Sequence, residues 1–286
     1  MYKKCFKFVG LSLMFGLMAP IAAKELSVEQ LEQEKVSYTF LNDAGDSLWS
    51  TPGNWRKGKF KAKKSTEIPG SEEDLLFTGA DLEIVDKQLK FKSLTTGFHR
   101  DSSVFVDQSS SIKANNIMVG FVGNKKHSFN NKGKLEPTIF TLKNGVCNNE
   151  GKIFADNVTI GRKDSKVVEF NNSGHITAKK IFAVNMNESG KITMTGGSVV
   201  APQLRVAGSG LLSLEGGKMT FDKFVLSDDF RIKLSGSAKI VIRNKVKSVL
   251  YKKIQQGKIS GEGGVTIIDN KNGYTIANVK KEESKI

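Results

Sequence analysis

From residue 82 onward, apolar positions fall in short alternating runs, and the runs recur. Alternating pairs appear as Leu82/Ile84, Val104/Val106, Phe140/Leu142, Val168/Phe170, Ile192/Met194 and Leu212/Leu214. After most of them comes an apolar anchor, with further positions five and then two residues on. This spacing is held by Leu89–Leu94–Thr96, Ile112–Ile117–Val119, Ile153–Val158–Ile160, Ile176–Ile181–Ala183, Val199–Leu204–Val206 and Met219–Phe224–Leu226. A seventh pair, Ile232/Leu234, opens a unit that then departs from the pattern. Alternation at period two puts one side of each run on a common face, and Val, Ile and Phe suit a pleated, half-buried surface. The runs end at Gly, Asn or Ser, which tolerate tight or left-handed turns.

One unit of this size cannot bury its inward face alone. Stacked units share a continuous apolar column, and their backbones pair from unit to unit at the ~4.8 Å strand spacing. An antiparallel sandwich or barrel also has short strands and frequent turns, but it gives no reason for the five-and-two spacing to persist through six units. The pattern therefore predicts an all-β fold, a right-handed parallel β-helix (β-solenoid) of about seven rungs. Successive anchors differ by 23, 41, 23, 23 and 20 residues. The long interval holds the polar, basic stretch 121–137, which reads as a loop inserted between two rungs. The pairs Asn115-Asn116, Asn148-Asn149 and Asn171-Asn172 could bond along the stack, but they are not in one register and read as ordinary turn residues.

Open stacks of strands need caps at both ends. Trp49 and Trp55, then Pro69 and Asp74-Leu-Leu-Phe77, look like an N-terminal cap. The two aromatic faces would plug the column, with Asn54 and Asp74 satisfying turn amides. At the other end Val246, Val249, Leu250 and Ile254 have helical spacing, and Gly257 could end the helix. Val265–Ile268 and Tyr274–Ile276 flank a turn sequence and read as a hairpin.

Upstream of all this, Met1–Ala23 has a basic start, an apolar stretch and small residues before Lys24-Glu25, the order of a secretory signal peptide. The apolar run is short for a membrane span of ~20 residues. The expected organisation is a leader at 1–23, linker and cap at 24–81, solenoid body at 82–243, C-terminal cap at 244–279 and a charged tail at 280–286. The expected location is exported: extracellular, cell-surface or periplasmic.

The order Trp49, Asn54-Trp55, Pro69, Asp74, Phe77 is similar to the opening of secreted bacterial β-solenoid proteins of the autotransporter-passenger kind, and the region after it resembles their repeat body. The likeness covers roughly residues 40–279 and implies architecture rather than activity. The chain departs from it in the basic insertion 57–64 and in lacking a C-terminal stretch long enough for a translocator barrel.

Charge adds a second theme. The 286 residues carry 44 Lys+Arg against 29 Asp+Glu, +15 in all, and loss of the leader would leave +12. Two cysteines and five prolines exclude a disulfide-stapled scaffold and a cysteine-based zinc module. Arg56, Lys57, Lys59, Lys61, Lys63 and Lys64 place six basic residues in nine, a candidate polyanion-binding cluster or a solvated loop. Lys113, Lys152, Lys179, Lys180 and Lys218 lie near similar rung positions and form either a basic stripe or a solvated face.

No nucleophile elbow, phosphate loop or dinucleotide fingerprint occurs. His99, His127 and His175 are scattered, and surface or turn positions are expected for them. No cofactor, metal site or catalytic residue is expected, nucleic acid is not an expected partner, and no membrane span is expected in the mature chain. Two functions remain. One is a non-catalytic structural or adhesive solenoid that binds anionic polysaccharide or an envelope surface. The other is a β-helix enzyme, a polysaccharide lyase or glycoside hydrolase acting on an acidic glycan, marked by an outward carboxylate cluster with Lys or Arg on neighbouring rungs.

Overall fold

Two sheets carry the chain, wound so that it alternates between them. The computed structural model describes residues 38–58, 63–98, 100–122, 126–244, 247–270 and 273–279, all within one unit. Strands β1 (Tyr38–Phe40), β2 (Trp55–Lys57) and β3 (Asp74–Phe77) come first. Eight turns follow, each a strand of the smaller sheet and then one of the larger. They are β4 (Asp81–Ile84) with β5 (Gln88–Thr96), β6 (Ser102–Val106) with β7 (Ser111–Val119), β8 (His127–Asn131) with β9 (Lys134–Leu142), and β10 (Gly145–Asn149) with β11 (Lys152–Ile160). Next are β12 (Val168–Asn172) with β13 (His175–Met186), β14 (Lys191–Met194) with β15 (Ser198–Gly208), β16 (Leu211–Leu214) with β17 (Lys218–Leu226), and β18 (Arg231–Leu234) with β19 (Lys239–Ile242). Helix α1 (Lys247–Gln255), β20 (Ile259–Gly261), β21 (Val265–Asn270) and β22 (Gly273–Asn278) complete the described chain. The larger sheet runs β2-β1-β3-β5-β7-β9-β11-β13-β15-β17-β19-β22-β21, and the smaller runs β4-β6-β8-β10-β12-β14-β16-β18-β20. Every neighbour within the eight turns is parallel, so the fold is a parallel β-helix of about 8 turns.

The longer strands explain the five-and-two spacing. In β7 the inward residues are Ile112, Ala114, Ile117 and Val119, with Asn115 and Asn116 between the two pairs. Alternation skips one position there, so both halves keep an apolar side inward as the strand turns a corner. In β13 the skip is one residue longer. Asn157 pairs with Ile181, and Phe182 and Val184 take the inward places. Ile181 and Ala183, expected inside, are half-buried on the outer side.

Two expectations fail in the middle of the stack. Residues 121–137 are not an inserted loop, because β8 and the first half of β9 lie within them. Leu135 sits in register between Ile112 and Ile153. The anchors are 89, 112, 135, 153, 176, 199, 219 and 240, which gives eight turns rather than seven. Phe140/Leu142 is likewise not a short-strand pair but the second half of β9.

The cause is asparagine. On β8, β10 and β12 the last inward position is Asn131, Asn149 and Asn172, each 1% exposed. Asn131 Nδ2 donates to Asn149 Oδ1 and Asn149 Nδ2 to Asn172 Oδ1, both at 2.7 Å, and Asn172 Nδ2 donates to the Gly174 carbonyl at 3.2 Å. One pleat away, on the outward side, Asn148 Nδ2 donates to Asn130 Oδ1 at 2.7 Å and Asn171 Nδ2 to Asn148 Oδ1 at 2.9 Å. Two amide ladders, not isolated turn residues, therefore climb three turns. Burying an amide is tolerated here because the 4.8 Å repeat presents each with its own complement.

At the N-terminal end, β1 pairs antiparallel with β2 and parallel with β3. Trp49 and Trp55 are buried in T-shaped contact at 4.8 Å, and Trp55 Nε1 donates to the Trp49 carbonyl at 2.9 Å. Asn54 Oδ1 accepts the Ala44 amide at 2.8 Å. Asp74 instead accepts Lys92 Nζ at 2.6 Å and Ser93 Oγ at 2.7 Å. At the other end Gly257, at φ +68, follows α1, and β22 pairs antiparallel with both β19 and β21.

Candidate functional site on the outer face of the larger sheet

Because the turns are in register, outward residues form columns along the stack. The residue just before each anchor forms one: Gln88, Ser111, Lys134, Lys152, His175, Ser198, Lys218 and Lys239. It holds two stacked lysine pairs, Lys134 over Lys152 and Lys218 over Lys239. The residue just after each anchor forms the next: Lys90, Lys113 and Glu136, then Phe154, Thr177, Val200, Thr220 and Val241. Phe154 joins it because it follows the Ile153–Leu135 pair. A neutral strip thus runs beside the lysines, with Phe154 37% and Val200 36% exposed.

An open groove of about 420 Å³ lies where the columns meet at β9 and β11, lined by Phe154, Pro137, Thr138, Ala155, Lys113, Lys134, Lys179, Glu136 and Asp156. Lys134 Nζ is 2.9 Å from Glu136 Oε1 and 5.6 Å from the Phe154 ring centre. Lys180 Nζ is 3.0 Å and Lys179 Nζ 3.6 Å from the Asp156 carboxylate. The hydrogen bond from Lys180, with the charges of Lys180 and Lys179, holds the Asp156 carboxyl below the usual carboxylate range. All these ion pairs are solvent-accessible and individually weak, so an incoming anion can displace them.

Glu136 and Asp156 on adjacent turns are the carboxylate cluster that an enzyme reading calls for. A glycoside hydrolase needs one carboxyl kept protonated near neutrality, by a raised pKa. Asp156 is pushed the other way. Asp156, held ionised by its lysines, balances charge on a basic face rather than donating a proton.

The expected stripe is split by the register. Lys152 and Lys218 share a column, Lys113 lies in the next, and Lys179 and Lys180 occupy the longer skip of β13. Sequence reasoning missed Lys134 and Lys239, although each precedes an anchor just as Lys152 and Lys218 do.

Of the basic cluster, Arg56 and Lys57 are on β2, and Arg56 Nε contacts Asp43 Oδ2 at 2.9 Å. Lys64 bridges Arg56 on the edge of the sheet, and Lys63 and Lys64 are exposed. Lys59 and Lys61 lie outside the described residues. β2 stands five strands from β9 in the larger sheet, about 24 Å at the usual spacing.

His99 lies outside the described residues. His127, expected at the surface, is instead 2% exposed, with Nε2 3.0 Å from the Val122 carbonyl and Nδ1 3.3 Å from Ser102 Oγ. Burial holds its imidazole below the usual histidine range. His175 stays exposed, 2.9 Å from Ser198 Oγ. Burial likewise pushes the Cys147 thiol far up, the opposite of what a nucleophile needs. Among the described residues no group of three or more His, Cys, Asp or Glu side chains could hold a metal ion, and no helix is long and apolar enough to cross a membrane. The leader expected at 1–23 lies outside the described residues.

No protein-family model, curated protein or solved structure matches the chain.

Proposed function

We propose that this is an exported, non-catalytic β-solenoid, structural or adhesive, that holds anionic polysaccharide against the outer face of its larger sheet at the cell surface or in the surrounding matrix. The leader-like start and the autotransporter-passenger likeness support export. The observation that carries the binding reading is the stacking of like charges. Lys134 lies over Lys152 and Lys218 over Lys239 in neighbouring strands, and among the described residues Lys152, Lys218 and Lys239 make no ion pair. Two unit charges one strand spacing apart repel by about 1 kcal/mol in water. A polyanion laid along the column removes that repulsion at each pair. Contacts that are weak one at a time add along a rigid face through multivalency. Phe154 and Val200 offer an apolar strip for the less polar faces of sugar rings, as Phe does in other mixed sites. The edge cluster around Lys57, Lys63 and Lys64 gives the same polymer a second foothold.

The rival reading, a carbohydrate-active enzyme, rests on Glu136 and Asp156. Incubation with uronate polymers separates the two, since new reducing ends or unsaturated products would establish turnover and overturn the non-catalytic assignment. Binding is tested by retention on immobilised heparin and polyuronate, with a neutral glucan as control. The variant Lys134→Gln/Lys152→Gln/Lys218→Gln/Lys239→Gln should elute at markedly lower salt than the parent, and Lys57→Gln/Lys63→Gln/Lys64→Gln by a smaller margin. Unchanged elution of the four-lysine variant would reject the column as the site.

A further inference from the structure

Charge is distributed unevenly between the groove at β9 and β11 and the columns that lead away from it. Inside the groove, lysines are matched by carboxylates. Lys134 Nζ meets Glu136 Oε1 at 2.9 Å, and Asp156 takes Lys180 at 3.0 Å and Lys179 at 3.6 Å. Outside it, Lys152, Lys218 and Lys239 make no ion pair among the described residues. A second unevenness lies along the stack. Lys152 and Lys218 are three strand steps apart, about 14 Å at the usual spacing. The strands between them hold His175 and Ser198 in one column and Thr177 and Val200 in the other, with no lysine or arginine in either.

A polymer with an acid group on every residue fits this pattern poorly. Over the gap it leaves several charges unmatched, and a polymer whose acid groups are spaced out leaves fewer. In the groove its charges would approach Glu136 and Asp156, which repel them. The two carboxylates suit a different group. An ionised carboxylate accepts hydrogen bonds at about four lone-pair positions, so each keeps acceptor capacity beside its lysines. A hydroxyl bonded to a carboxylate is held roughly twice as strongly as one bonded to a neutral acceptor. Phe154, 37% exposed, gives the same groove an apolar wall. An aromatic wall with a few fixed acceptors suits a small ring bearing hydroxyls, and about 420 Å³ is within the size of such sites.

Resting on the polysaccharide-binding function proposed above, we propose that the groove is a subsite for an uncharged sugar. The polymer held on this face is then an acidic heteroglycan, with acid-bearing residues interspersed among neutral ones, and not a homopolymer of uronate. The neutral residue lays its less polar face on Phe154 and donates hydroxyls to Glu136 and Asp156. A neighbouring residue brings its acid group to Lys152, two positions before Phe154 on β11 and about 7 Å away. Lys218 and Lys239 take further acid groups beyond the gap.

The probes are oligosaccharides of equal length. Those of hyaluronan and unsulfated chondroitin alternate uronate with an uncharged amino sugar, whereas in polygalacturonate every residue is acidic. Calorimetric titration at fixed ionic strength should give the parent a lower Kd for at least one alternating ligand than for polygalacturonate, although the homopolymer is the more highly charged. The decisive variant is Glu136→Gln/Asp156→Asn. A face that recognises charge alone binds every polyanion more tightly once two negative charges are gone. The subsite predicts opposite signs, with the alternating ligand bound roughly tenfold more weakly and polygalacturonate more tightly. Phe154→Ala should weaken the alternating ligand and leave polygalacturonate nearly unchanged, with the circular dichroism of both variants like the parent's. Tighter binding of all three ligands by the double variant, or a parent that prefers polygalacturonate, would overturn the neutral-sugar subsite while leaving the lysine columns as the binding face. A parent that binds none of the three would overturn the polysaccharide-binding function itself, and the subsite with it.

Discussion

Replacing Asn149 with leucine removes the middle of the inward amide ladder while nearly keeping its shape. Two buried groups then lose their partners, Asn131 Nδ2, which donates to Asn149, and Asn172 Oδ1, which accepts from it. Asn131 Oδ1 has no partner to begin with, so that amide is left with no side-chain bond in the ladder. An orphaned buried polar group costs about 1–3 kcal/mol, so the substitution should destabilise by roughly 2–6 kcal/mol. For a domain of this size that lowers the melting temperature by on the order of 5–20 °C. Because solenoid stability is a sum over turns and their neighbours, amide exchange should rise first in β8, β10 and β12. Two controls isolate the cause. Asn148→Ala cuts the outward ladder, where water replaces the lost bonds, and should cost no more than about 1 kcal/mol. Asn131→Leu/Asn149→Leu/Asn172→Leu removes donors and acceptors together, leaving only the Gly174 carbonyl without its side-chain donor. This triple variant should recover most of what the single one loses. If it melts as low as Asn149→Leu, or if Asn148→Ala is equally damaging, the loss is one of packing and the ladder argument fails.

Two further perturbations have definite signs. Gly120 and Gly257 both sit at positive φ, +70 and +68, but a Cβ on Gly120 would collide with the Asn144 carbonyl, whereas none of Gly257's surroundings comes within 4 Å. Calorimetry should therefore show Gly257→Ala costing about 1–2 kcal/mol of backbone strain and Gly120→Ala clearly more, and equal losses would contradict the close approach of those turns. His127 has its pKa lowered by burial in the fold, so below the ordinary value of 6.5 the unfolded chain binds more protons than the native one. Its share of stability is present above pH 6.5 and is lost as pH falls through the lowered native pKa. Melting temperature should drop over that window in the parent and less in His127→Gln, and parallel profiles would remove His127 as the cause.

The turns whose inward places are filled by Val, Ile, Leu or Phe were legible in the sequence, because alternation of apolar residues is visible without knowing the fold. The short strands of the third and fourth turns were not. His127–Asn131 shows only Phe129, and Gly145–Asn149 only Cys147, beside an inward asparagine. A core amide looks like a turn residue until its partners are known, and those partners lie 18 and 23 residues away. Missing one anchor at Leu135 then mis-set the neighbouring turn and hid Lys134. Ile181 failed for a different reason: the extra residue at Lys179–Lys180 lengthens a corner without altering the local apolar pattern. Lys239 was lost because the unit opened by Ile232/Leu234 departs from the five-and-two spacing, although Ile240 continues the anchor column for one more turn.

These failures have one physical origin, and it bears on where chemistry sits in such a molecule. Stacking at ~4.8 Å converts any residue type that recurs at one rung position into a line of like groups. With aliphatic side chains the line is the core, since each turn shields its neighbour. With asparagine it is a ladder, because an amide complements itself. Lysine does not complement itself, so a lysine column, like any column of a single charge, finds no partner within its own stack. The pairs Lys134–Lys152 and Lys218–Lys239 occupy positions where Ser111 and Ser198 show that a neutral residue fits. Lys134 is answered within the chain by Glu136 at 2.9 Å, whereas Lys152, Lys218 and Lys239 make no ion pair among the described residues, and it is these three that the proposed anionic polymer would relieve.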